Sequence, residues 1–126
     1  MPHLCIEYSA NMESRVDMAG FCDALRRAAI DTGILPLAGV RVRALRADHV
    51  SLADGGADHG FVDISLRLRA GRDLASRKKA TDQIFAAART FLQPAMDRFS
   101  IALSFEMRDI DPELSPKTGT IRDHLT

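Results

Sequence analysis

The sequence has few of the features that would direct a protein to a membrane, a nucleic acid or an oxidising compartment. Its 17 basic residues are balanced by 17 acidic ones, so no net charge attracts nucleic acid or an anionic membrane. The only cysteines, Cys5 and Cys22, have neither CxxC spacing nor the number of a disulfide framework. No apolar run reaches the roughly 18 residues of a membrane span, and the N-terminus has no signal-peptide pattern. We therefore expect a cytoplasmic protein that binds neither nucleic acid nor membrane.

Common catalytic motifs are also missing. No GxGxxG, P-loop, GxSxG or HExxH pattern occurs, and the four histidines have no metal-ligand spacing. Glu7 and Glu106 could form a carboxylate pair in space, although nothing in the sequence shows that they do. The length of 126 residues predicts one domain over residues 1–126. Any anion recognition must come from local clusters of arginine.

The chain reads as two similar halves, each a strand, a helix and a strand. Alternating apolar residues predict strands, and apolar residues at helical spacing predict helices. Ser9, Asn11 and Ser14 offer capping groups before the first helix, Gly33 ends it, and Asp73 is an N-cap for the second. Pro94 should kink or fray the second helix. The predicted strands are 4–8, 40–46, 61–69 and 101–107, and the second helix runs to about residue 98 with Leu74, Ala80, Ile84, Ala88, Phe91, Leu92 and Ala95 inward.

This order predicts an α+β fold, a duplicated β-α-β unit with a four-stranded mixed sheet and two helices on one face. Helix-sized crossovers favour parallel pairing within each half. The other face would carry arginines, serines and short side chains. It must therefore be solvated or covered by another subunit.

The amino terminus is the first candidate for chemistry. The small second residue allows removal of Met1, which would leave a secondary amine at Pro2. The terminus leads directly into a strand, so this amine would have a fixed position on the sheet. An ordinary α-amine has a pKa of about 8, and burial and nearby cations lower it toward the range useful for a base.

Arginines are the second candidate. Arg41 and Arg43 share one strand face, Arg67 and Arg69 share another, and Arg72 follows the turn at Gly71. Guanidinium groups bind carboxylates bidentately and stay charged at neutral pH. Near the terminus they could orient a carboxylated substrate, stabilise an enolate and lower the pKa of the amine.

Several segments resemble the 5-carboxymethyl-2-hydroxymuconate isomerase family of the tautomerase superfamily. The resemblance begins at Met1-Pro2-His3-Leu4 with Glu7-Tyr8-Ser9, and it covers nearly the whole chain in order. The other matching segments are Thr32-Gly33-Ile34, Pro36-Leu37-Ala38-Gly39-Val40-Arg41, Ala53-Asp54-Gly55, Ala70-Gly71-Arg72 and Leu103-Ser104-Phe105-Glu106.

The resemblance implies a homotrimer with active sites between subunits and with no cofactor or metal. Pro2 would be the catalytic base, and Arg41, Arg72 and, as a third, Arg43 would bind a small carboxylated dienol substrate. The implied reaction converts 5-carboxymethyl-2-hydroxymuconate to its conjugated keto isomer in homoprotocatechuate breakdown. The tail at 114–120 departs from the family pattern, so the resemblance assigns no functional residue there and the role of the tail stays open. If Met1 stays attached, the Pro2 nitrogen is an amide and cannot be a base.

Three alternatives stay open on the sequence alone. The protein could be a tautomerase for a different substrate, such as another 2-hydroxymuconate-like dienol or phenylpyruvate. It could instead be a non-catalytic trimer that binds small carboxylates or a protein partner. A purely structural oligomer is the third alternative.

Overall fold

The computed structural model describes all 126 residues and contains two strand–helix–strand units, as predicted. The last strand is three residues longer than the sequence pattern predicted. The bounds of the other strands agree with the predicted bounds to within one or two residues. The elements are β1 (His3–Ser9), α1 (Met18–Asp31), β2 (Arg41–Ala47), β3 (Gly60–Arg69), α2 (Leu74–Met96) and β4 (Ile101–Ile110), with short 3₁₀ turns at Ala10–Ser14, Leu37–Gly39 and Ile121–His124.

The four strands form one mixed sheet in the order β2-β1-β3-β4. β1 pairs with β2 in parallel, β3 pairs with β4 in parallel, and the two halves meet through the antiparallel β1–β3 pair. This arrangement confirms the predicted fold class and the parallel pairing within each half. It places the beginning of β1 next to the end of β3.

Both helices pack on the same face of the sheet and form one core with it. Leu4 and Ile6 of β1 and Leu66 of β3 are completely or almost completely buried, as are Phe21 of α1 and Ile84 of α2. The alternate residues of each strand lie on the opposite face, which no element of this chain covers. The open face predicted from the sequence is therefore present.

Three local predictions need correction. Leu74 is 70% exposed, because it is the first residue of α2, directly after the turn that follows β3. The cap of α1 is Asp17, whose carboxylate accepts from the amide of Gly20, and not one of the earlier polar residues. α2 ends at Met96, two residues after Pro94 and about two residues before the predicted end near residue 98.

One other local prediction is confirmed. Asp73 caps α2 by accepting from the amide of Ser76. Neither helix has an apolar stretch long enough to cross a membrane.

Candidate active site

The open face of the sheet carries a row of basic side chains at the end where the chain begins. His3 is paired with Arg41 of β2 on one side and with Arg67 of β3 on the other, and Arg108 of β4 extends the row. Leu4, the next residue of β1, points into the core, so the row lies on the open face. The two strand faces on which arginines were predicted are thus one face of one sheet.

Pro2 is buried directly beside this row. Its carbonyl accepts a hydrogen bond of 3.1 Å from the amide of Arg41. A Cβ on Gly39 would lie 3.0 Å from Pro2 Cδ, the ring atom bonded to the nitrogen, and 3.2 Å from Pro36 Cγ. Only glycine leaves this space for the proline ring. In the chain with Met1 attached, the Pro2 nitrogen is a tertiary amide.

A cavity of about 290 Å³ opens beside the amino terminus. Gly39 lines it, and the Pro2 ring packs against Gly39 from the buried side without lining the cavity itself. Arg41 is its cation from the sheet, and its Nη1 is 2.7 Å from Met1 Sδ. The remaining lining residues come from the amino terminus, from the turn before β2 and from the C-terminal tail: Met1, Pro36, Ala38, Lys117, Thr118, Gly119, Ile121, Arg122 and Asp123.

A second cavity of about 160 Å³ lies on the other side of the amino terminus. Its cations from the sheet are Arg67 and Arg69 of β3, next to His3. Met1 and Lys117 line both cavities. The amino terminus therefore lies at the junction of two cavities that are rich in positive charge.

The surroundings lower the pKa values of the two basic groups at this junction. Burial lowers the pKa of the Met1 amine from its ordinary value of 8.0, and the charges of Lys117, Arg41 and Arg72 lower it further. Burial also lowers the pKa of His3, followed by the charges of Arg67, Arg43 and Arg41. Both groups are therefore biased toward their neutral forms, which can accept a proton.

The three predicted arginines have different positions. Arg41 lines the larger cavity, whereas Arg43 lines neither cavity and has its Nη1 3.2 Å from His3 Nδ1. Arg72 donates to the carbonyl of Ile34 at 3.2 and 3.0 Å and to that of Arg69 at 3.1 Å. Arg72 thus ties the turn after β3 to the loop after α1, while its charge still acts on the terminal amine.

Several residues at the junction were not assigned to a site from the sequence. Lys117 lies in the tail, to which the resemblance assigned no functional residue. Arg67 and Arg69 were recognised as a cluster, but the register that brings them beside His3 depends on the antiparallel pairing of the two halves. Glu7 and Glu106 do not form a pair: Glu7 faces Asp63, and Glu106 accepts from Arg108 at 2.7 Å.

The duplicated β-α-β fold, with a buried Pro2 and cationic cavities at the start of β1, defines a tautomerase-like protein. The family model for 5-carboxymethyl-2-hydroxymuconate isomerase matches residues 2–125. The 5-carboxymethyl-2-hydroxymuconate Delta-isomerase of Escherichia coli is 35% identical over 121 residues, which are 96% of each chain. The chain belongs to the 5-carboxymethyl-2-hydroxymuconate isomerase family, as the sequence resemblance predicted.

Solved structures agree with this assignment. The crystal structure of a 5-carboxymethyl-2-hydroxymuconate delta-isomerase is 31% identical and superposes with a TM-score of 0.93, covering 98% of this chain and 92% of that chain. A fused 4-OT symmetric trimer, 19% identical, has a TM-score of 0.64 and covers 93% of this chain and 92% of its own. The latter similarity extends the shared fold to a protein that assembles as a trimer.

Proposed function

We propose that this chain is a cofactor-independent isomerase that converts 5-carboxymethyl-2-hydroxymuconate to its conjugated keto isomer, with the amine of Pro2 as the base after removal of Met1. The observation that carries the proposal is the burial of Pro2 against Gly39, which lines a cavity together with Arg41. Membership of the isomerase family supports the choice of substrate. The proposal includes a single domain over residues 1–126 and a place in homoprotocatechuate catabolism.

The proposed reaction moves one proton and oxidises nothing. The neutral Pro2 amine accepts the proton of the dienol hydroxyl, and the oxygen electron pair becomes the carbonyl. The double bonds shift, and the ammonium returns the proton to C5, which leaves a ketone conjugated with the C3–C4 double bond. Removal of Met1 would free the space that Met1 occupies in both cavities, beside the new amine.

Cations support each part of this reaction. A buried amine surrounded by guanidinium groups has a lowered pKa and is therefore neutral at a useful pH. Arg41, which lines the larger cavity, would bind a substrate carboxylate there, and Arg72, whose charge acts on the amine of Met1, would act on the Pro2 amine in the same way. We keep Arg43 as a third binding residue, from its bond to His3 beside the basic row. The same charges would stabilise the enolate.

We further propose a homotrimer in which the open face of the sheet is covered by neighbouring subunits and the active sites lie between them. The open face carries Cys5, Leu45 and Phe61 among its polar residues, and Leu45 is 51% exposed in the single chain. Acidic Glu7 and Asp63 lie two rows from the basic row, so one subunit could pair its basic end with the acidic part of the next. The two free cysteines fit the proposed cytoplasmic location.

The experiment that tests the function is intact-mass measurement of the purified protein together with turnover of 5-carboxymethyl-2-hydroxymuconate, followed by ultraviolet absorbance. We expect a mass without Met1 and rapid ketonisation. A processed protein with no turnover would contradict the proposed substrate. If the mass retains Met1, the terminus is freed with a methionine aminopeptidase and the assay repeated.

A second experiment tests the shared site. Inactive Pro2→Ala and Arg43→Gln proteins are mixed, dissociated and reassembled. Recovered turnover means that Pro2 and Arg43 of one site come from different subunits. Absence of recovery, with trimers present by native mass, contradicts the intersubunit position of Arg43.

A further inference from the structure

The C-terminal tail turns back toward the amino terminus as soon as β4 ends. The carbonyl of Asp111 accepts from the amide of Leu114 at 3.2 Å and from the hydroxyl of Ser115 at 2.6 Å. Its carboxylate accepts from the amide of Glu113 at 2.9 Å. Pro116, directly before Lys117, restricts the backbone further. The position of Lys117 therefore follows from a defined turn.

Lys117 is the only lysine outside α2, and its ammonium group lies against the amine of Met1 and pairs with no carboxylate. The other two lysines, Lys78 and Lys79, are adjacent and exposed on that helix. The ion pairs of the structure do not include Lys117, although Asp123 lines the same larger cavity. An unpaired cation at the junction of two cavities is available for an anionic ligand.

The substrate of the proposed function has three carboxylates, and the site has three groups of cations. Arg41 and Arg122 line the larger cavity, and Arg67 and Arg69 line the smaller one. Lys117 lines both. The two cavities can thus receive the two ends of an extended dienol, and Lys117 is left for the third carboxylate between them.

The chemistry of the reaction locates that third carboxylate. The conjugated ketone forms only when the proton arrives at C5, which is the carbon that bears the carboxymethyl arm. The arm must therefore lie close to the amine that delivers the proton. Lys117 lines both cavities where they meet beside the amino terminus, so it lies at the place where the arm must be.

We propose that Lys117 binds the carboxylate of the carboxymethyl arm and so determines the specificity of the isomerase for the tricarboxylate. This inference rests on the proposed function and extends it to a residue of the tail. The ammonium is a point charge on a flexible stem, which suits a carboxylate on a short rotatable arm. The forked guanidinium groups in the cavities suit the carboxylates fixed to the planar dienol.

The test compares two substrates in four proteins. The substrates are 5-carboxymethyl-2-hydroxymuconate and 2-hydroxymuconate, which lacks the arm. The proteins are the wild type, Lys117→Gln, Lys117→Arg and, as a control on the exposed surface of α2, Lys79→Gln. Each is checked for loss of Met1 by mass and for folding by thermal unfolding, and kcat and KM are measured for both substrates.

We expect Lys117→Gln to lower kcat/KM for the tricarboxylate by about 10- to 100-fold, mainly through KM, as for loss of a hydrogen bond to a charged group. For 2-hydroxymuconate the change should be less than about threefold, since that substrate has no arm to bind. Lys117→Arg should recover most of the tricarboxylate activity, and Lys79→Gln should match the wild type. This selective pattern would not result from a structural role.

Two results would overturn the inference alone, with the wild type active. They are an unchanged kcat/KM in Lys117→Gln, or an equal loss for both substrates. A processed wild type that converts neither substrate would overturn the proposed function, and this inference with it.

Discussion

The two halves of the chain begin their first strands in the same way and then differ in what surrounds that beginning. At the start of β1, Pro2 lies beside Arg41 and close to two cavities whose arginines form no ion pairs. At the start of β3, Gly60 lies beside Ile101. The polar groups near Gly60 bond to one another.

The hydrogen bonds at the second position are extensive. His59 Nδ1 is 2.7 Å from Ser100 Oγ, and His59 Nε2 is 2.8 Å from Asp54 Oδ1. Arg15 donates to the carbonyls of Asp58 at 2.8 Å and Ser100 at 3.4 Å. These contacts join the loop before β3 to the start of β4. The same group types that could form a site at one end therefore serve to hold the chain together at the other.

This difference shows what a chain end adds to a duplicated fold. Both halves supply a strand start next to a parallel partner, but only the first can offer a free amine. The internal copy has an amide at that point, so its polar residues stabilise structure.

The largest effect is expected for Pro2→Ala. The variant keeps a primary amine after removal of Met1 but loses the ring that fixes the nitrogen against Gly39. We expect kcat to fall by about 100-fold or more, since a positioned acid–base group contributes this much. Ultraviolet turnover, with intact mass to verify processing, measures it. A kcat within threefold of the wild type would remove the proline from the mechanism.

Arg41→Gln and Arg72→Ala should separate a loss of substrate binding from a loss of folding stability. Arg41→Gln should lower kcat/KM by about 10- to 100-fold, through loss of a charged hydrogen bond, with little change in stability. Arg72→Ala should also reduce the free energy of unfolding by about 1–3 kcal/mol, because the carbonyls of Ile34 and Arg69 lose their donor.

Kinetics and urea unfolding of both variants, with Arg26→Gln on the exposed surface of α1 as control, test this pair. Equal loss of stability in Arg41→Gln and Arg72→Ala would contradict the different roles assigned to them.

Two glycine variants compare the strand starts directly. In Gly39→Ala the new methyl would press on Pro2, so we expect turnover to fall several-fold with a small loss of stability. In Gly60→Ala the methyl would meet side-chain atoms of Arg15, Asn11 and Met12, each at 3.0 Å. Overpacking of this kind costs about 1–3 kcal/mol. We expect this variant to unfold more easily but to keep its turnover per folded molecule.

Thermal unfolding and kinetics at a temperature where both proteins are folded distinguish the two effects. The contrast fails if Gly60→Ala loses turnover as much as Gly39→Ala does.

The smallest effect concerns acid stability and Asp54. The amide of Gly56 and then His59 hold the pKa of this carboxyl below its ordinary value of 3.8. Because the folded-state pKa is lowered, the stabilisation is present above about pH 4 and is lost as the pH falls through the lowered pKa. Asp54→Asn should therefore lose less stability than the wild type on acidification below pH 4, with unchanged turnover at pH 7. Urea unfolding at several pH values checks this.

Much of the fold was predictable because the apolar periodicity is regular. The alternation of Val62, Ile64, Leu66 and Leu68 has one interpretation, and all four are buried. The corrections fall where local signals compete: several polar residues before α1 could have capped it, and only the geometry selects Asp17. Leu74 matched the helical spacing but lies at the end of the helix, where the spacing does not ensure burial.

The candidate site was predictable only in part. Pro2 and Arg41 are close in space because β1 and β2 are parallel neighbours, which the helical crossover indicated. The approach of Lys117 depends on how the tail turns after β4, and no periodic pattern describes it. The backbone bonds of Arg72 were likewise invisible, since a guanidinium group can bind a carbonyl as readily as a carboxylate.

The most direct test of the central claim is a titration of the Pro2 amine by NMR in protein labelled with ¹⁵N-proline. The chain has five prolines, and only a processed Pro2 carries a nitrogen that titrates, because the others are tertiary amides. We predict a pKa below the value of about 8 for an ordinary α-amine, coincident with the acidic limb of kcat/KM. A Pro2 pKa at or above 8, or one that differs from the pKa of the acidic limb of the kcat/KM profile, would contradict the role of Pro2 as the base.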